Sequence, residues 1–150
     1  MAVTVKIEGL REIDAALGEL GKATGKNVLK RVGLKALEPM AGVAQANAPV
    51  LEGHLQRSIT VGTKLTTRQA RMAKSLDGKA SVTVYMGPND PAAVPQEFGA
   101  KGDSPQPFMR PAWDGGKQGL LDSLKAMLWT EIDKAAKRKA KRLAKAAAKG

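Results

Sequence analysis

Residues 53 to 59, GHLQRSI, hold the one histidine of this 150-residue chain, His54. An imidazole there has the chemistry of a general base, yet no second histidine and no cysteine stands by to build a relay or a metal site. Glu97 and Asp103 are the other reactive pair. They sit in the stretch EFGAKGDSPQPFMRPAWD, residues 97 to 114, where two carboxylates can share acid–base work or form an ion pair with Arg110. Nothing in their spacing fixes a separation, and solvated charge or an ion pair is the plainer reading. Gly99 and Gly102 form no phosphate loop, because neither GxGxxG nor GxxxxGK[ST] occurs. The residues therefore argue for no enzyme, no metal and no cofactor.

Charge is the stronger signal. The net of +11 is uneven: residues 131 to 150 carry eight Lys and Arg against Glu131 and Asp133. On a helix, Lys134, Lys137, Arg138, Lys141, Arg142, Lys145 and Lys149 cluster on one side with alanines opposite. Such a face can neutralise phosphates with salt-dependent, sequence-blind affinity, or it can be a solvated surface. No helix-turn-helix spacing, zinc finger or RNA-stacking aromatic motif accompanies it. Nor does it carry the bulky apolar face of a membrane-surface helix.

The same 97–114 stretch spends scarce aromatics. The chain has five, Tyr85, Phe98, Phe108, Trp113 and Trp129, so the first 84 residues have none. A core built there from aliphatic residues is thin and invites support from neighbouring subunits. Six of the eight prolines fall between Pro88 and Pro111, which stiffens the segment. A stiff aromatic arm loses little entropy on docking, and Phe108 and Trp113 are the residue types that anchor interfaces. The rings can equally fold back to plug their own domain.

The elements that position these residues follow from periodicity. Val3, Val5 and Ile7 alternate with polar residues as a strand. Leu10, Ile13, Leu17 and Leu20 mark a short helix ended by Gly21. A second helix is expected from about Lys26 to Ala46, with Val28, Val32, Ala36 or Leu37, Met40 and Val43 inward and a kink at Pro39. Strands follow at Ile59 to Leu65 and Val82 to Met86, joined by a connection that is either a hairpin tip or a short helix. Pro88 to Pro111 reads as an irregular loop. A long helix closes the chain, with Leu121, Leu124, Leu128, Ile132, Ala136, Ala140, Leu143 and Ala147 as its apolar strip. The expected fold class is α+β: a small antiparallel sheet packed by helices, a long irregular loop and a protruding C-terminal helix. The expected division is an α+β domain over residues 1–130 and a basic helical extension over 131–150. No leader segment or run of about 20 apolar residues is read, so a soluble protein made in the cytoplasm, with no membrane partner, is expected.

Glu97-Phe98-Gly99 followed by Gln106-Pro107-Phe108-Met109-Arg110-Pro111-Ala112 resembles the "EFG…PFMRPA" hallmark of small neck and tail-completion proteins of long-tailed bacteriophages. Ala48-Pro49 and Gly53-His54-Leu55-Gln56-Arg57-Ser58-Ile59 are similar to that family's "AP…GxLxxSI" segment. The resemblance covers roughly residues 3 to 130 and leaves the basic extension outside. It implies a non-enzymatic virion protein at the head–tail junction, made in the bacterial host's cytoplasm. It implies a ring of six or twelve copies around the DNA channel, with head-side connector and tail-tube or tail-terminator proteins as partners. Glu97, Phe98, Gly99, Pro107, Phe108, Met109, Arg110, Pro111 and Trp113 are then the expected interface. Lys134 to Lys149 are the expected contact for genomic DNA or an acidic neighbour. The rival expectation is a stand-alone, sequence-nonspecific nucleic-acid-binding protein that uses the basic helix.

Overall fold

A computed structural model describes residues 9–73 and 81–150. The strand expected at Val3 to Ile7 lies outside the described residues. Among the described residues the order is α1 (Leu10–Glu19), α2 (Lys22–Asn47), α3 (His54–Ser58), β1 (Thr60–Gly62), α4 (Thr67–Met72), β2 (Tyr85–Gly87), α5 (Ala93–Phe98) and α6 (Met109–Ala147). The fold is α+β, and the described residues hold one two-stranded antiparallel sheet that pairs Thr60 with Gly87, Val61 with Met86 and Gly62 with Tyr85.

α2 and α6 form the spine and pack along one another. One apolar cluster joins Met40, Ala41, Ala44 and Ala48 to Leu55, Ile59, Ala93, Phe108 and Ala112. The other joins Ile13 and Leu20 of the α1 region to Val28 and Val32 of α2 and to Leu128, Ile132 and Ala135 of α6. A Cβ on Gly116 would sit 3.0 Å from the Met40 Cε, so the missing side chain lets α6 close onto α2. At the other end, the Lys139 ammonium donates to the Glu19 carbonyl at 2.7 Å and so caps α1 from α6.

Several expectations change in detail. Val43 is 50% exposed, whereas Met40, Ala41 and Ala44 are buried. Each i to i+4 step advances the buried stripe by about 40° around the axis, which carries it past Val43 by the end of α2. α2 continues as a helix through Pro39, which lies on its exposed side. The apolar strip of α6 is real only to Ile132: Ala135 is buried in place of Ala136, and every residue from 136 to 150, Leu143 included, is exposed.

The sheet is shorter than the alternation suggested, with three residues per strand. The connection starts as a short helix. Thr66 caps α4 by accepting the Gln69 amide, and Gln69 returns a bond to the Thr66 amide at 2.9 Å. The expected irregular loop contains α5. Pro95 is its third residue, where the first-turn amide would have no helical partner in any case. The Asp90 carboxylate accepts the Ala92 amide at 2.8 Å and turns the chain into this helix.

Candidate subunit and partner interface

α6 begins without a cap of its own. Phe108 occupies the N-cap position and supplies no side-chain acceptor, and the first turn holds no acidic residue. Its free amides need an acceptor from elsewhere in the chain. After α5 the chain reverses at Gly99 and turns tightly between Ala100 and Asp103. The Gln106 amide then donates to the Gln96 carbonyl at 2.7 Å. That reversal lays residues 106–110 beside Glu97.

Glu97 is the acceptor. Its Oε2 takes the amides of Phe108 at 2.8 Å and Met109 at 2.9 Å, and its Oε1 takes the Arg110 amide at 3.0 Å. The Arg110 Nε donates to the same Oε1 at 2.9 Å, while Nη2 donates to the Glu97 carbonyl at 2.7 Å. The Glu97 side chain is 7% exposed. Burial alone would raise its pKa, but the amides of Met109, Phe108 and Arg110 and the guanidinium outweigh this and hold it at about 2. A buried charge so fully bonded, at the positive end of a 39-residue helix, is a structural clasp. It has no free lone pair suited to taking a proton from a substrate. Asp103 is exposed on the turn and plays no part in the clasp.

The clasp sorts the aromatic residues. Phe108 is 0% exposed and fills the first apolar cluster with Ala112, so it plugs its own domain. Met109 packs partly against that cluster. Phe98 is 64% exposed and Trp113 51%, and Val94 on the same face of α5 as Phe98 is also open. The Arg110 guanidinium carbon stands 4.9 Å from the centre of the Phe98 ring. Pro107 and Pro111 are exposed, and Gly99 is half-buried at the reversal. The expected interface residues thus divide into an inner set, Glu97, Phe108 and Met109, and an outward face of Phe98, Arg110 and Trp113.

The basic residues also divide. Lys134 pairs with Glu131 at 3.2 Å and Lys137 with Asp133 at 2.8 Å, both within α6. The Lys134 ammonium beside Glu131 holds that carboxyl below its usual range. Arg138, Lys141, Arg142 and Lys145 instead line a cleft against α2. Lys149 lies past the end of α6 and is exposed. Periodicity missed two contributors, Arg31 of α2 and the capping Lys139. Both owe their roles to contacts across the helix pair, which no local spacing reveals.

His54 is exposed in α3, its Nε2 3.4 Å from the Glu52 carboxylate and its Nδ1 3.5 Å from the Arg57 Nη2. A neutral ring can donate to the first and accept from the second, which accounts for it as a surface residue. Among the described residues no group of three His, Cys, Asp or Glu is placed to hold a metal, and no helix is long and apolar enough to cross a membrane.

A family model described as "Bacteriophage HK97-gp10, putative tail-component" matches residues 11–99. The match runs from α1 to Gly99, the last residue of the EFG triplet. No curated protein and no solved structure matches the chain.

Proposed function

This chain belongs to the HK97-gp10-like family of bacteriophage tail components, and from that premise we propose that it is a ring-forming neck or tail-completion subunit. In this reading the subunits close around the DNA channel at the head–tail junction and join head-side connector proteins to tail-tube or tail-terminator proteins. Its role is structural and non-catalytic. Residues 1–130 act as the assembly unit and 131–150 as a basic extension whose first turns, through Ile132 and Ala135, still pack against α1 and α2.

The observation that carries the reading is the outward face held by the clasp. Phe98, Arg110 and Trp113 stand exposed on a segment anchored by five bonds to Glu97. An aromatic–arginine face on a preorganised support has the composition and low ordering cost of an interface anchor.

The test is sedimentation and electron microscopy of the purified protein beside Trp113→Ala and Phe98→Ala. Closed rings that fall to monomers in the variants are expected. A monomer at every concentration that never enters the particle contradicts the proposal. The stand-alone nucleic-acid-binding reading draws on the exposed residues 136–150. It requires that truncation after Thr130 abolish DNA affinity while the protein stays outside the virion.

A further inference from the structure

The cleft between α2 and α6 has a volume of about 570 Å³ and is lined by Thr24, Asn27, Val28, Arg31, Ala135, Arg138, Lys141, Arg142 and Lys145. Five of these side chains are cations, and no carboxylate is among them. Glu131, the acid beside it, is engaged by Arg31 at 3.1 Å and by Lys134. α2 begins at Lys22 with no side-chain cap and no acidic residue in its first turn, and Thr24 of that turn lines the cleft. The positive end of the α2 dipole therefore adds to the same field.

We propose that this two-helix cleft is a binding site for the phosphate backbone of duplex DNA, with Arg31 of α2 acting together with Arg138, Lys141, Arg142 and Lys145 of α6. From 138 to 145 the helix rises by roughly 10 Å, about three phosphate-to-phosphate steps of one strand along the duplex axis, so that the four cations of α6 face about four successive phosphates. Two of the cations on α6 and one on α2 are arginines, whose planar forks suit phosphate oxygens. Val28 and Ala135 are the only apolar residue types in the lining and both are buried, so beyond its cations the cleft offers no aromatic or large aliphatic contact to the side-chain anchor of a protein partner. No aromatic residue lines the cleft to stack an unpaired base, which separates this site from single-strand binders. Contact is with backbone only, so recognition is blind to sequence. This inference does not depend on ring formation: a monomer with the cleft intact binds the duplex equally well.

The experiment is fluorescence anisotropy of the full chain with two 30-base-pair duplexes of unrelated sequence, over a salt series, with a polyglutamate peptide as competitor. Equal affinity for both duplexes is expected. Five phosphate contacts predict a fall of roughly 500-fold between about 50 and 200 mM salt. Arg31→Ala and the double change Arg138→Ala/Arg142→Ala flatten the salt dependence, whereas Lys64→Ala/Lys101→Ala, which removes two exposed lysines outside the cleft, leaves it unchanged. In the unsubstituted protein, bound duplex shields Lys141 and Lys145 from acetylation more than Lys64 and Lys101, a readout free of any folding effect. An equal loss in the control pair, no effect of Arg31→Ala, no protection of Lys141 and Lys145, or tighter binding of polyglutamate than of DNA overturns the proposal. None of these outcomes bears on whether rings form.

Discussion

The Phe108 amide donates to the Glu97 carboxylate at 2.8 Å, eleven residues back along the chain, and both side chains are buried. One residue supplies the cap that α6 lacks, and the other drives the start of that helix into the core. The spacing of the two motif halves follows from this geometry. The chain between them must be long enough to reverse at Gly99 and short enough to return to the end of α5.

Glu97→Gln keeps the shape and removes the charge, and one of its two polar ends then faces amide donors with a donor. The change is expected to lower stability by about 2–3 kcal/mol, the value of charge-assisted bonds together with the cost of buried unmet groups. Urea denaturation of the variant beside the parent checks it. An unchanged midpoint means the clasp adds nothing to folding.

The same carboxylate sets an acid dependence. Its pKa falls from 4.5 to about 2 on folding, so the unfolded chain takes up the proton first. The stabilisation is complete above about pH 4.5 and is lost as pH falls towards about 2, a total on the order of 3 kcal/mol. The parent's unfolding free energy should drop through this window by more than that of Glu97→Gln. Parallel curves for the two proteins would refute the assignment.

Phe108 and Trp113 should separate folding from assembly. Phe108→Ala opens a cavity in the core and is expected to cost about 3–5 kcal/mol. Trp113→Ala should leave monomer stability within about 0.5 kcal/mol while weakening association. Phe98→Ala additionally gives up the Arg110 contact, worth about 0.5–1 kcal/mol at an exposed site. Thermal melts paired with sedimentation distinguish the two effects.

Gly99 has φ of 83°, and a Cβ there would lie 3.1 Å from both the Asp103 carbonyl oxygen and the Pro105 Cδ. Gly99→Ala is expected to cost about 1–3 kcal/mol from the positive-φ backbone alone. Since the reversal also delivers Arg110 to Glu97, the variant should lose part of the acid dependence described above. A melt and pH profile matching the parent's would show that the reversal tolerates a side chain.

Helical spacing made α1, α2 and α6 legible, because Ile13, Leu20, Val28, Val32, Leu128 and Ile132 each meet a partner on the side their periodicity indicates. The pairing of Glu97 with Arg110 was legible as one of two alternatives for a loop carboxylate. α5 was not, because six prolines in 24 residues read as an extended chain unless the position of Pro95 in a first helical turn is known. The outer limit of the apolar strip on α6 was also hidden. Ala136, Ala140 and Leu143 have the right period, but only contact with α1 and α2 decides burial, and that contact ends at Ala135 and Lys139. The division of the lysines had the same cause: Glu131 and Asp133 occupy Lys134 and Lys137, while Arg31, itself 3.1 Å from Glu131, lines one cleft with Arg138, Lys141, Arg142 and Lys145.

Cryo-electron microscopy of the intact particle would show whether the protein forms a ring at the head–tail junction. A closed ring of this protein between head and tail is expected, with Phe98, Arg110 and Trp113 buried where adjacent subunits or a neighbouring ring meet. A junction without the protein, or a ring in which those three residues face solvent, would contradict it.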